Sequence, residues 1–327
     1  MKLQRLVYSV LTITFFVSVG FSIYFFSQAR ASNARILEAD TNNLPIPRYH
    51  FALIGEELEH DYWELVGQGA KDTEEEYEIA IEYEGPRRSN PEEQRKLLDM
   101  AIKSKVDGII VQAVNNSFLP LINKAVDQGI PVITIDTDAA KSKRFTYIGT
   151  DNYEAGRLAG EELIEQTNGS ATVGIVTGSF DNAHHQLRVQ GFQDVIEQKS
   201  DISIVAIEES SITQVIAEEK AQNMLTKYPD INALFGTSTH DATGMTEAAE
   251  SLGRSNDLYI IGFDTLEENL QLLKQNKVDA LIEQEPYAMG NRSIDLMMDI
   301  MENKEVKDVY HTDTSVVTKA DLSVINE

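Results

Sequence analysis

The chain has no cysteine among its 327 residues. Disulfides, thiolate metal sites and cysteine nucleophiles are therefore excluded. So is the lipidated cysteine that tethers many bacterial extracytoplasmic proteins. Positive charge is scarce: 28 Lys and Arg stand against 53 Asp and Glu, for a formal net charge of −25. Phosphate backbones are held by basic patches, and no such patch is visible, so nucleic acid is excluded as a partner. The acidity reads as a solvated, self-repelling surface. The chain has no Gly-x-Ser-x-Gly nucleophile elbow, no phosphate loop and no His-Glu-x-x-His zinc site. His184 and His185 are adjacent, a spacing that rarely serves one metal centre, and no third ligand is placed beside them. No metal or cofactor is expected. Hydrophobic content of 42% and charged content of 25% are ordinary for a globular protein.

What is present first is an apolar segment. Leu6 to Phe26 carries no charge, and about 21 residues of helix span about 31 Å, the thickness of a bilayer core. Lys2 and Arg5 precede it, as they would for a signal peptide or an anchor. Ala29-Arg30-Ala31 resembles a signal-peptidase site. The length exceeds the ~7–15 residues of a signal core, and Tyr24, Phe25 and Phe26 fit an interfacial aromatic belt. The reading is therefore an uncleaved single-pass anchor over residues 1–27, with the N-terminus cytoplasmic and the acidic body outside. Residues 28–47, ending in Pro45-Ile46-Pro47, read as a semi-extended linker.

Beyond Tyr49 the chain alternates short apolar runs with amphipathic stretches. Strands are predicted at His50–Ile54, Tyr77–Tyr83, Gly108–Val111, Val132–Ile135, Ala171–Val176, Ile202–Ile207, Ala233–Phe235, Leu258–Gly262 and Ala280–Ile282. Asn90-Pro91-Glu92-Glu93 has the form of a helix start, with a capping Asn, Pro at the first position and acids in the first turn. Short β-branched runs separated by helices imply parallel sheets covered on both faces. About ten such units exceed one compact sheet, so an α/β body of two doubly wound parallel-sheet lobes is expected.

In such sheets ligands bind beyond the carboxyl ends of the strands, and those ends are polar here. One runs into Glu56-Glu57-Leu58-Glu59-His60-Asp61-Tyr62-Trp63. Others end in Asp136-Thr137-Asp138, Ser238-Thr239-His240-Asp241, Phe263-Asp264 and Glu283-Gln284-Glu285. Sugar hydroxyls both donate and accept. Carboxylates such as Asp136 and Asp264 can each take two hydrogen bonds, while Gln284 and His185 supply donors. The Tyr62-Trp63 pair suits the C–H face of a pyranose. The alternative for any single Asp is that it only caps the next helix.

In order along the chain, several segments resemble one family. They are Ala52-Leu53-Ile54 through Tyr62-Trp63 to Gly69-Ala70, Pro131 through Asp136, and Ile148-Gly149-Thr150-Asp151-Asn152-Tyr153-Glu154-Ala155-Gly156. Gln190-Gly191-Phe192, Tyr228-Pro229-Asp230-Ile231, Gly262-Phe263-Asp264 and Gln284-Glu285-Pro286 follow. The set resembles the type I periplasmic sugar-binding proteins, ribose- and xylose-binding-like, over about residues 48 to 320. The resemblance implies two lobes, 48–150 with 285–312 and 151–284 with 313–327, joined by a hinge of three crossings. The crossings would lie near Thr150–Asn152, Glu283–Glu285 and Tyr310–Thr314. Carried over by position, the ligand contacts are His60, Tyr62, Trp63, Asp136, Gln186, Asp264 and Gln284, with His185, Thr137 and Ser238 behind them. Two family arginines are replaced: Thr137 follows the strand-end Asp, and Gln186 takes the other place, with Arg188 close by.

The resemblance implies a monosaccharide ligand, a pentose with D-xylose first and a hexose second. It leaves two readers of the closed form. Membrane-anchored xylose-binding-like proteins sense sugar beside LytS-type sensor histidine kinases, and this chain resembles that subgroup. An ABC sugar importer is the alternative. A glycosidase using Asp136 and Asp264 as a carboxylate pair and a binder of a furanosyl quorum molecule are the other readings. A sugar-responsive repressor is rejected, because the apolar segment occupies the place of its basic DNA-binding motif.

Overall fold

The computed structural model describes Ser18, Gly20, Phe21 and residues 46–322. A leading segment, Met1–Pro47, is distinct from the body, Arg48–Glu327. Among the described residues no helix is long and apolar enough to cross a membrane. The span expected from Leu6 to Phe26, apart from its three described residues, and the Ala31 junction lie outside the described residues.

Apolar runs form the strands of the body and the amphipathic stretches form its helices. β1 (His50–Ile54) is followed by α1 (Asp61–Lys71), α2 (Glu74–Tyr77), β2 (Ala80–Glu84), α3 (Pro91–Ser104), β3 (Gly108–Val111), α4 (Leu119–Asp127), β4 (Val132–Ile135) and β5 (Thr146–Thr150). Next come α5 (Asn152–Gln166), β6 (Ala171–Thr177), α6 (Ala183–Ile196), β7 (Ile202–Glu209), α7 (Gln214–Lys227), β8 (Ala233–Gly236), α8 (Thr239–Ser251), β9 (Tyr259–Phe263), α9 (Glu267–Lys274) and β10 (Ala280–Glu283). The chain then runs through α10 (Pro286–Met301), β11 (Val309–Thr312) and β12 (Ser315–Thr318).

The strands form two sheets, ordered β11-β5-β4-β3-β1-β2 and β12-β10-β9-β8-β6-β7. The first is parallel throughout. In the second, only β12 runs against its neighbour. Strands β3, β4, β5 and β8 are buried at every position, as helices on both faces of a parallel sheet require. Each sheet accordingly carries one apolar cluster per face. In the second lobe Phe192 stacks on Phe235 at 4.5 Å between ring centres. Each such fully buried ring contributes roughly 1.5–3 kcal/mol. The chain passes between lobes after β5, after β10 and between β11 and β12.

Both lobes bring helices into near backbone contact. A Cβ on Gly290 of α10 would lie 1.9 Å from the Val66 carbonyl oxygen of α1. A Cβ on Gly156 of α5 would lie 2.0 Å from the Arg188 oxygen of α6. The expected cap at Asn90 is present: its side chain accepts from the Glu92 and Glu93 N–H groups, with Pro91 in the first turn.

Some boundaries differ from expectation. The first helix, expected from Tyr62 to about Glu76, stops at Lys71, where Thr73 turns its hydroxyl back to the Ala70 oxygen at 2.7 Å. The strand expected from Tyr77 begins at Ala80, because Glu78 takes a left-handed φ of 54°. β5, β11 and β12 were not predicted as strands. The last two are four residues each and rich in polar side chains.

Candidate functional site

The site begins with two strand ends. Asp136 follows β4 and Asp264 follows β9, and both adopt left-handed backbone, with φ of 62° and 70°. Asp tolerates this region better than most residues. Each keeps its place in the ladder: the Asp136 N–H donates to the Ile148 oxygen at 2.9 Å and the Asp264 N–H to the Ile282 oxygen at 2.8 Å. The turn aims both carboxylates, one from each lobe, into the cleft between the sheets. Gly149 makes this possible on the first lobe, since a Cβ there would meet the Tyr147 hydroxyl at 2.4 Å and Asp136 Cα at 2.9 Å.

The cleft is open to solvent, and about 430 Å³ of non-atom space lies in and at the mouth of it. Seven of the ten expected residues line it: His60, Tyr62, Trp63, Asp136, His185, Asp264 and Gln284. Tyr62 and Trp63 open α1, both buried, with their rings edge to face at 5.8 Å. The Tyr62 hydroxyl donates to Asp136 at 2.7 Å. Gln284, on the second crossing, donates to Asp264 at 2.6 Å. Thr239 also hydrogen-bonds Asp264.

Three expected contacts lie elsewhere. Gln186 is exposed and donates to the Phe180 oxygen, outside the cleft. It stands two positions from both His184 and Arg188, which places it on the far side of α6. Arg188 takes the inward place that was assigned to Gln186. Thr137 and Ser238 are buried but do not line the cleft. Thr137 stands behind Asp136, to which its hydroxyl donates at 3.1 Å. Ser238 caps α8, and its own N–H is held by Asp241 at 2.8 Å.

Sequence reasoning missed Arg188, Glu56, Glu57, His184, Ile212 and Thr239 as cleft residues. Arg188 had a usable signal, since His184 and Arg188 are four apart and share a helix face. Its guanidinium donates to Asn152 Oδ1 at 2.8 Å, the Thr237 oxygen at 2.8 Å and Gln284 Oε1 at 2.7 Å, and it lies 4.0 Å above the Phe263 ring. It therefore ties the first and second crossings together. Ile212 holds φ 55°, rare for a β-branched residue, with its N–H on the Gly178 oxygen at 3.0 Å.

Electrostatically the cleft is dominated by buried acids held by neutral donors. Burial pushes the Glu56 carboxyl up, and hydrogen bonds from Ser89, Gln112 and Asn182 pull it back. Burial also raises Asp264, against the Arg188 guanidinium, which lowers it. His184 and His185 are driven well below the usual imidazole range by burial, so both are neutral. His60 falls to about 4, from burial and from His240 facing it at 5.0 Å between ring centres. Among the described residues no cluster of His, Asp or Glu is arranged to hold a metal ion.

Two doubly wound lobes with a polar, acid-lined cleft between them define a class of binding proteins that close over small polyhydroxylated solutes. The chain belongs to the type I periplasmic binding protein family; the family model described as "Periplasmic binding protein domain" matches residues 51–305. GanP, a glucose-galactose binding protein from Geobacillus stearothermophilus, is 50% identical, with a TM-score of 0.82 over 84% of this chain and 98% of that one. The XylFII-LytSN complex contains a chain 34% identical, with a TM-score of 0.80 over 85% of this chain and 100% of that one. A D-ribose/D-allose-binding protein of Pseudomonas aeruginosa is 26% identical over 77% of this chain and 84% of its own length. GanP and the Pseudomonas protein are binding proteins, and this chain is a binding protein rather than an enzyme.

Proposed function

We propose that this protein captures a monosaccharide in its pyranose form outside the cytoplasmic membrane and reports the closed state to a membrane sensor histidine kinase. The observation that carries the sugar reading is the pairing of Asp136 and Asp264. One carboxylate from each lobe turns into one cleft beside Trp63 and the Arg188–Gln284 pair. A ring of hydroxyls can donate to both acids only when the lobes are together, so ligand favours closure. D-glucose and D-galactose stand ahead of D-xylose, because similarity to the glucose-galactose binder is greater than to XylFII. The kinase reading is supported by likeness to the chain in the XylFII-LytSN complex. An anchor over Leu6–Phe26 would hold the body at the outer face of the membrane, beside such a partner.

The test uses Trp63, the sole tryptophan. The chain from about Asn43 onward is titrated with hexoses and pentoses while fluorescence is followed. A saturable change with glucose or galactose is expected. A flat response to every sugar from folded protein would refute the sugar reading. For the partner, sugar should strengthen copurification with a sensor-kinase ectodomain. Capture by an importer permease, with no sugar effect on the kinase, would favour transport instead.

A further inference from the structure

The lobes also meet through protein–protein contacts at one edge of the sugar cleft, where Glu56 and His184 line it. The start of α6, on the second lobe, lies against the first lobe at three points. Asn182 Nδ2 donates to Glu56 Oε1 at 2.7 Å. The Ala183 N–H donates to the Val114 oxygen at 2.9 Å. His184 Nδ1 and Thr137 Oγ1 are 2.7 Å apart. Glu56, Val114, Thr137, Asn182 and His184 are all at least nine-tenths buried, so a lost partner at these contacts is costly.

Two routes run from this corner to Asp136. Gln112 Nε2 donates both to Glu56 Oε2 at 3.1 Å and to Asp136 Oδ2 at 2.8 Å. Thr137 has a single hydroxyl proton. It serves both neighbours only if His184 donates from Nδ1 and Thr137 donates onward to Asp136 Oδ2, at 3.1 Å. A neutral imidazole can do this with its Nδ1–H tautomer, and burial keeps His184 neutral. Beside Tyr62, Asp136 is thus held by Thr137, which meets His184 directly, and by Gln112, which also holds the Glu56 carboxyl that receives Asn182.

We propose that Asn182 and Thr137 are positioning residues of a closing latch, which couples the seating of Asp136 to docking of the α6 corner and sets how long the closed state lasts. This rests on the reading that the ligand engages Asp136. The latch acts through the lifetime of closure, so it changes affinity for every sugar by a similar factor.

The absence of cysteine permits a clean measurement. Lys103→Cys on the first lobe and Glu219→Cys on the second, both exposed, are spin-labelled in the full-length chain. Interlobe distance populations are recorded with and without D-galactose and D-glucose, and dissociation rates are taken from Trp63 fluorescence. Asn182→Ala should move the population toward the open distance and raise the dissociation rate about tenfold, as loss of a hydrogen bond to a carboxyl implies. The association rate and the order of sugar preference should stay as they are. Thr137→Val should act alike and Thr137→Ser should restore closure, which a purely structural role would not predict. Folded Asn182→Ala with closed population and dissociation rate within twofold of the unsubstituted chain would overturn the latch. Failure of the unsubstituted chain to bind any sugar would overturn the sugar reading instead. The sugar-free closed populations of Asn182→Ala and unsubstituted protein would then still decide the latch.

Discussion

Replacing Gly156 by Ala tests whether the approach of α5 to α6 is what seats Arg188. The added Cβ would lie 2.0 Å from the Arg188 carbonyl oxygen and 2.9 Å from its Cα, and real Cβ atoms essentially never come within 3.0 Å of such neighbours. The helices must therefore part by at least the missing 1.0 Å. Backbone atoms cannot swing aside as a side-chain tip can, so the cost lies at the upper end of overpacking, about 3 kcal/mol. Alanine's better helix propensity returns about 1 kcal/mol, leaving a net loss of about 2 kcal/mol and a melting point lower by about 4–8 °C. The same displacement moves the Arg188 guanidinium relative to Asn152, which sits at the start of α5. Sugar affinity should fall with stability, by about tenfold for one weakened charged hydrogen bond. Gly160, one turn along α5, is the internal control. A Cβ there would sit 3.2 Å from the Phe192 oxygen and the Val195 side chain, a tight contact that small adjustments relieve. Differential scanning calorimetry and sugar titration on both variants provide the comparison. Equal losses for Gly156→Ala and Gly160→Ala, or a Gly156→Ala protein melting within about 1 °C of the unsubstituted chain, would refute the reasoning.

Other perturbations have defined signs. Asp264→Asn removes a buried charge whose carboxyl is already pushed up by burial; stability at neutral pH should hold or rise while sugar binding is lost, and retained binding would count against the opposed-carboxylate reading. His60 has a native value of about 4 against its ordinary 6.5. As pH falls through that window the unfolded chain takes the proton first and the native protein loses stability. Urea midpoints at pH 7, 5.5 and 4.5 should show a flatter acid slope for His60→Asn, which keeps an acceptor at the cap of α1; an unchanged slope would contradict this assignment. Arg144 is buried and joins Asp138, through Nη2 at 2.7 Å, to Asp308, through Nη1 at 2.7 Å. Arg144→Met should cost about 3 kcal/mol in denaturant unfolding by stranding Asp138, and a loss below about 1 kcal/mol would mean the pair is exchangeable with solvent.

Much of the scaffold could be read from local chemistry. Asn90-Pro91-Glu92-Glu93 carries its own capping logic, and β3 and β4 are unbroken apolar runs, so both surfaced without tertiary knowledge. β11 and β12 did not, because their pairing is supplied by β5 and β10, remote in sequence, rather than by an apolar pattern. The cleft divides in the same way. Asp136 and Asp264 are legible because a polar residue ending a buried strand points toward the sheet's carboxyl edge. Glu56 is not: five carboxylates lie between positions 56 and 64, and nothing local says which one the neighbouring lobe will bury. Gln186 was preferred to Arg188 by position along a motif, whereas the face of α6 is fixed by its four-residue spacing with His184.

The three passages between lobes bear on how the chain is completed during synthesis. The first five strands of the first lobe are contained in residues up to Thr150. The helix that covers its α1, however, is α10, and its edge strand is β11. These emerge only after β6 to β10 of the second lobe. Until about Met301 leaves the ribosome, the backbone face of α1 at Val66 and Ala70 lacks the helix that closes over it. The second lobe lacks only an edge strand, β12, at the same moment. The lobe that starts first is therefore finished late, and the nascent chain carries its aggregation-prone surface at the amino-terminal end while the later lobe is already closed around its own sheet.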